Sequence, residues 1–212
     1  MKTKHYNLLV LMLMLIIVSV TAPVQADSAK DRECQIKAAF VYNFIKFIDW
    51  PEEKISPDSK SITIGVIGAD DFIKAFDPVK NKQVKGKDIV IKPLEELDKL
   101  NDLRKKNISR WKEKIKEIRK YQVLFICACQ DKKEEIPVEL LKALENSGVL
   151  VVGEIPGFLE NGGAINFVME NKRVRFEINT KVANCNGLKI RSQLLKLAKR
   201  VIKEKKAKVV KG

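Results

Sequence analysis

Four cysteines and one histidine are the side chains in this 212-residue sequence best equipped for covalent or metal chemistry. The cysteines are Cys34, Cys127, Cys129 and Cys185, and the histidine is His5. Cys127 and Cys129 stand two apart in the apolar run VLFICA, Val123 to Ala128, which reads as a strand. Both side chains would then point to one face, and a disulfide straight across that spacing is sterically poor. At most one of the two is therefore expected to pair with Cys34 or Cys185, as a structural or redox-responsive bridge. The alternative is that all four are small buried apolar residues. A thiolate metal pair at Cys127 and Cys129 lacks further ligands nearby, so no metal and no cofactor is expected.

Compartment decides whether thiols oxidise, and the first residues address it. Lys2 and Lys4 precede an apolar stretch, Leu8 to Val20, broken only by Ser19. Its thirteen residues fall short of the roughly twenty that span a bilayer as a helix. Pro23 follows, and Val24-Gln25-Ala26 offers a small-residue exit. Residues 1–26 are read as a secretory signal cleaved after Ala26, leaving one domain, 27–212, with a basic tail, in the periplasm. Cys34 follows Asp31, Arg32 and Glu33, unlike the anchoring cysteine of a lipoprotein. Cleavage removes His5, so the mature chain has no imidazole for a Ser-His-Asp or Cys-His pair. Cys129 or a carboxylate remains as a nucleophile without an evident base, and no enzyme is expected.

The formal charge is +14, and +12 once Lys2 and Lys4 leave. Export argues against nucleic acid as the partner. The excess lies in two places: Glu95 to Lys120, with ten Lys/Arg and six acids, and Lys196 to Lys211, with eight and one. Solvated helix faces and tails are the default reading, with anionic lipid heads a second.

The elements alternate. Cys34 to Trp50 reads as a helix with Ile36, Phe40, Phe44 and Phe47 on one side and Ala38, Val41, Ile45 and Ile48 on another. Ser61 to Ile67, Lys87 to Ile91, Val123 to Ala128 and Val149 to Val152 read as short strands, the pieces between them as helices. Such alternation implies a mostly parallel sheet covered on both faces. Ala164 to Met169 and Val174 to Ile178, joined at Glu170-Asn171-Lys172, form an antiparallel hairpin expected at one edge. Ile190, Leu194, Leu197, Ala198 and Val201 outline a final helix. Gly65-Val66-Ile67-Gly68 lacks a full phosphate-binding fingerprint, and Asp70 and Asp71 fit a helix start better than an anion site. The loop Gly157 to Gly163, with Phe158, Leu159, Gly162 and Gly163, is a candidate partner-facing surface. So is the strand row Arg175 and Glu177, alternating with Val174, Phe176 and Ile178. A small-ligand receptor is the alternative, with its site beyond the strand carboxyl ends at Gly68 to Asp71, Gln130-Asp131 and Gly153-Glu154.

Four stretches in this order, KAAFVYNFIKFIDWP (Lys37 to Pro51), VLVVGEIPGFLENGGAINF (Val149 to Phe167), RVRFEIN (Arg173 to Asn179) and GLKIRSQLLKLA (Gly187 to Ala198), are similar to the YfiR-like family of periplasmic proteins, also known as a domain of unknown function. ITIGVIGADDF (Ile62 to Phe72) adds to the resemblance, which runs from about Cys34 to Val201. It implies a three-layer α/β/α sandwich that forms a homodimer. It further implies repression of a membrane-bound diguanylate cyclase, by binding that enzyme's periplasmic part and so lowering cyclic-di-GMP. Cysteine oxidation tunes some members of the family. The charged segment Glu95 to Lys120 is longer than the resemblance implies.

Overall fold

Short β-branched runs flanked by amphipathic helices assemble here into a mixed eight-stranded sheet between two helical layers. The computed structural model describes residues 24–68, 70–127 and 135–203, without the side chains of 24–28, 70 and 71. Packing separates residues 1–32 from 33–212, and of the first unit only the opening turns of a helix are described. The signal reading of residues 1–26 therefore falls almost wholly outside the described residues, as do Cys129, Gln130, Asp131 and the tail from residue 204.

The helices are α1 (Val24–Lys46), α2 (Asp70–Lys74), α3 (Leu97–Lys106), α4 (Ile108–Ile118), α5 (Val138–Ala143), α6 (Thr180–Cys185) and α7 (Ser192–Leu197). The strands are β1 (Ile48–Asp49), β2 (Ser61–Ile67), β3 (Gln83–Val84), β4 (Lys87–Leu94), β5 (Val123–Ile126), β6 (Leu150–Gly153), β7 (Ile165–Glu170), β8 (Arg173–Asn179), β9 (Lys189–Ile190) and β10 (Arg200–Ile202). The large sheet runs β10-β8-β7-β6-β5-β2-β4-β3, with β4, β2, β5, β6 and β7 parallel. β1 and β9 form a separate antiparallel pair.

Alternation along the central strands builds both cores, because successive side chains face opposite ways. Val123 and Phe125 of β5, with Leu150 and Val152 of β6, join α1, α2 and α7 in one cluster. Leu124, Ile126 and Val151 join α3, α4 and α5 in the other. Gly65 of β2 is a packing requirement: a Cβ there would stand 2.8 Å from the Tyr121 ring.

Several elements depart from the sequence expectation. The first helix ends at Lys46, and Ile48–Asp49 turns into β1, whose partner β9 lies some 140 positions on and leaves no local signal. On α1 the inward stripe is Ala38, Val41, Phe44 and Ile45, whereas Ile36 is 39 % exposed. The expected final helix stops at Leu197, and Arg200–Ile202 instead pairs in parallel with β8. The open edge of β8 wins over helical propensity, through the Lys199 N–H donating to the Phe176 carbonyl at 2.8 Å. The antiparallel hairpin is as expected, with β10 laid outside it. Strand β5 ends at Ile126, so Cys127 lies just past the strand. The charges of Glu95 to Lys120 lie mostly on exposed faces of α3 and α4.

Candidate functional site

Helix α1 brings a lysine to the place where β5 and β6 end. Lys37 lies four residues before Val41 and seven before Phe44, on the stripe that faces the sheet, and is 5 % exposed. Its ammonium meets Glu33, one turn back, at 2.5 Å, and donates a hydrogen bond to Glu154, the first residue beyond β6. Cys127 stands at the matching position beyond β5, and its thiol hydrogen-bonds to the Glu154 carboxylate. Cys34, one turn before Ala38 on α1, lies near enough to Cys127 to act on it electrostatically.

Burial works against the charge on Lys37, but Glu154 and Glu33 together outweigh it and hold its pKa above the ordinary lysine value. Burial also pushes the Cys127 thiol far up, reinforced by Glu154, so the sulfur stays protonated. A protonated, buried sulfur is a poor nucleophile. The cluster's chemistry is thus an ion-paired tie between helix and sheet. Among the described residues no three His, Cys, Asp or Glu side chains are grouped to hold a metal.

The location expected of a small ligand, beyond the strand carboxyl ends, is filled at Gly153-Glu154 by these side chains of the chain itself. At Gly68 a Cβ would sit 2.8 Å from Cβ of Cys127. A groove of about 510 Å³ lies elsewhere, between α5, the crossover loop before β7, and α6. Cys185, an exposed thiol, lies in its wall.

The crossover loop is arranged around one ring. Phe158 is fully buried, and a Cβ on Gly163 would meet that ring at 2.1 Å, one on Gly153 at 2.6 Å. Gly163 is therefore needed for space, and Gly162, at φ 107°, for its backbone angle. Leu159 is buried as well, and its carbonyl accepts from Asn179 Nδ2 at 2.9 Å. Asn179 also caps α6, accepting from the Lys181 and Val182 amides. The face this loop offers to solvent is Pro156, Gly157, Glu160 and Asn161. Arg175 is exposed and lies 4.0 Å from Glu170, while Glu177 pairs with Arg200 at 2.7 Å, so the two candidates share a face without pairing to each other.

A family model for YfiR/HmsC-like proteins matches residues 34–199. The chain belongs to the YfiR/HmsC-like family. That family comprises periplasmic regulators of cyclic-di-GMP signalling, a regulatory rather than a catalytic class. In this YfiR/HmsC-like chain no helix among the described residues is long and apolar enough to cross a membrane. No curated protein is matched by the sequence. Among solved structures, a conserved domain protein from Vibrio cholerae is similar at 11 % identity, over 79 % of this chain and 60 % of that one, with a TM-score of 0.48. The ABC domain in complex with L-Trp from Streptococcus pneumoniae is similar at 13 % identity, over 80 % and 60 %, also with a TM-score of 0.48. The chain thus spans 60 % of the length of each.

Glu154 stands among the strand-end residues expected of a small-ligand site, but Lys37 and Glu33, which the structure joins to it, were not among the candidates. The signal was there: a lysine on a stripe of otherwise apolar positions, an acid four residues before it, and an acid directly after an all-apolar strand. A charge on a buried stripe needs a partner.

Proposed function

We propose that this chain is a periplasmic regulatory protein that represses a membrane-bound signalling enzyme of the diguanylate cyclase type by holding that enzyme's periplasmic part. The observation that carries the proposal is the family match across residues 34–199, which covers both helical layers and every strand of the sheet except β10. In support, the buried thiol of Cys127 is held protonated and shielded, while the charged side chains at the strand ends serve internal ties. Such a domain offers a rigid outer surface to a partner.

The signal peptide 1–26 delivers the domain, and the mature chain works as a homodimer in which a disulfide drawn from Cys34, Cys127, Cys129 and Cys185 adjusts its hold. The partner meets the exposed parts of the 157–163 loop and the row of Arg175 and Glu177. The test is deletion of the gene with measurement of cyclic-di-GMP, alongside capture of envelope proteins on the tagged chain. A rise in cyclic-di-GMP, reversed by the intact gene but not by an Arg175→Glu variant, is expected. Unchanged cyclic-di-GMP together with no membrane protein captured would overturn the proposal.

A further inference from the structure

Two asparagine–glycine pairs occur in this sequence, Asn161-Gly162 and Asn186-Gly187. Glycine has no Cβ to hold its amide nitrogen away from the preceding side chain. At such pairs the main chain can therefore attack the asparagine side chain. The fold sets the two pairs in opposite environments. Asn186 is 8 % exposed, and both ends of its side-chain amide are engaged. Its Oδ1 accepts from the Ser147 amide at 3.2 Å, and its Nδ2 donates to the Val182 carbonyl at 3.1 Å. The nitrogen that would attack it, that of Gly187, donates to the Asn184 carbonyl at 2.9 Å.

Asn161 is exposed on the crossover loop before β7. Among the described residues its side chain has one hydrogen bond, from Nδ2 to the surface carbonyl of Gly157 at 2.9 Å. The Gly162 amide has no backbone acceptor among the described residues, whereas those on either side of it both donate to the Phe158 carbonyl, at 3.3 and 3.0 Å. An N–H without an acceptor gives up its proton without breaking a hydrogen bond of the fold. Asn146-Ser147, an exposed asparagine before another small residue, lacks this freedom, because the Ser147 amide is the one held by Asn186.

We propose that Asn161 is a site of self-modification, at which the chain's own backbone and water convert the side-chain amide to a carboxylate. The Gly162 nitrogen gives its proton to solvent base and bonds to Cγ of Asn161. The Cγ–Nδ2 bond breaks, and Nδ2 takes up a proton and leaves as ammonia. Water then opens the five-membered succinimide. Attack at Cγ restores the main chain and gives aspartate. Attack at the main-chain carbonyl carbon of Asn161 leaves Gly162 joined through Cγ, an isoaspartate with one extra methylene in the backbone. Ammonia is lost, water is gained and nothing is oxidised. The product changes the loop in two ways. The groove between α5 and α6 is lined by two cations, Lys142 and Lys181, and two acids, Glu145 and Glu160, with Asn161 among them, so a carboxylate at 161 leaves the acids in excess. The isoaspartate also lengthens the backbone just before Gly163, where the Phe158 ring leaves no space even for a Cβ. The modification needs only this chain and water, and is independent of which signalling enzyme the domain holds.

The test is a timed incubation of the mature chain in neutral buffer at physiological temperature, once folded and once in guanidinium chloride. Peptide mass spectrometry then separates asparagine, aspartate and isoaspartate at both positions. In the folded chain Asn161 is expected to react at least about tenfold faster than Asn186, which must await local opening. In denaturant the two are expected to react within about a factor of three of each other, because the fold no longer separates them. Asn161→Gln, which would have to close a larger ring, is expected to remove the acidic species that ion exchange resolves from the aged parent. Thermal melting before and after incubation confirms that the chain remains folded. Equal rates at the two sites in the folded chain overturn the proposal. So does an Asn161 that stays intact in the folded chain yet reacts in denaturant, or ammonia loss confined to Asn186.

Discussion

Two lysines from neighbouring parts of the chain, Lys37 and Lys54, sit at opposite ends of the parallel strands and experience opposite fields. Lys37, at the carboxyl ends, is enclosed by two carboxylates, and its charge is favoured in spite of burial. Lys54, at the amino ends, finds only carbonyls. Its ammonium donates to the Arg119 carbonyl and to that of Ser147, the latter at 3.0 Å, and its stem lies across Gly148. Burial first, and the Arg119 guanidinium second, lower its pKa to about 8. Nearby, Arg119 Nε donates to the Ala143 carbonyl at 2.9 Å, and Gln122 bridges the Thr63 amide and the Lys54 carbonyl. One end of the sheet is thus held by compensated charge and the other by donors on loose carbonyls. The first arrangement depends on both signs being present. The second depends on donors, which a neutral amine still provides.

Removing one of the two carboxylates at the carboxyl end should have the largest effect. Glu154→Gln leaves Lys37 buried with Glu33 as its one carboxylate, and a loss of about 3 kcal/mol in urea unfolding is expected. Lys37→Met/Glu154→Gln should recover most of that loss, since it removes the cation together with its more buried acid, keeps the stem's volume and leaves only the more exposed Glu33. A double variant as unstable as the single one would show that packing, not charge, holds α1 there. The same Glu154→Gln change should also expose the thiol beneath it. Under reducing conditions, Cys127 in the parent chain should alkylate at least about tenfold more slowly than exposed Cys185, and the variant should narrow that gap. Peptide mass spectrometry of a timed iodoacetamide reaction checks both.

The contrast between the two ends also explains what could be read from the sequence. The central strands were legible because SITIGVI and VLFI are β-branched or apolar throughout, and a strand buried on both faces needs that composition. The hairpin was legible from its alternation and its turn. The pairs β1–β9 and β8–β10 were not, because two- and three-residue strands carry no period and depend on partners distant in the chain. Phe158 looked like a surface residue because it stands in a loop with Gly162 and Gly163. That Gly163 exists to clear its ring is a statement about packing, which spacing does not encode. Lys37 was masked in the same way: helical periodicity shows the stripe, but the acid that makes a lysine tolerable there lies 117 positions away.

The amino end should answer to pH. The folded pKa of Lys54, about 8, lies below the 10.5 of the free side chain. Between those values the unfolded chain holds the proton that the folded chain has lost, so folding stability rises with pH across that window. The gain is complete above the unfolded pKa and absent below about 8. A relative gain of about 1–2 kcal/mol over Lys54→Met is expected between pH 7.5 and 10, read from urea midpoints in a pH series. Lys37 should give no such slope over this range, because its raised pKa keeps it charged in the folded state while the free lysine titrates only near the end of the series. A parent and Lys54→Met variant with parallel pH profiles would remove the distinction between the two ends.

The smallest effect belongs to a third charged group, which lies at the surface and separates burial from pairing. Asp49 of β1 accepts a fork from Arg191, with Nε at 3.0 Å and Nη2 at 2.8 Å, and a further bond from Lys85 at 3.0 Å. The Arg191 hydrogen bond, opposed next by burial and then aided by Lys85, lowers its pKa to about 2. Its contribution is present above the unfolded pKa of 3.8 and is lost as pH falls through about 2. The partners are nearly half exposed, so water and salt screen the pair strongly. Arg191→Lys, which keeps the charge but not the fork, should lower the melting temperature at pH 7 by no more than about 2 °C. Most of the difference should be gone near pH 2, where the carboxylate of the folded parent is about half protonated, and it should shrink in 1 M salt. A shift comparable with that of Glu154→Gln would mean that pairing geometry, and not burial, sets the strength of these ties.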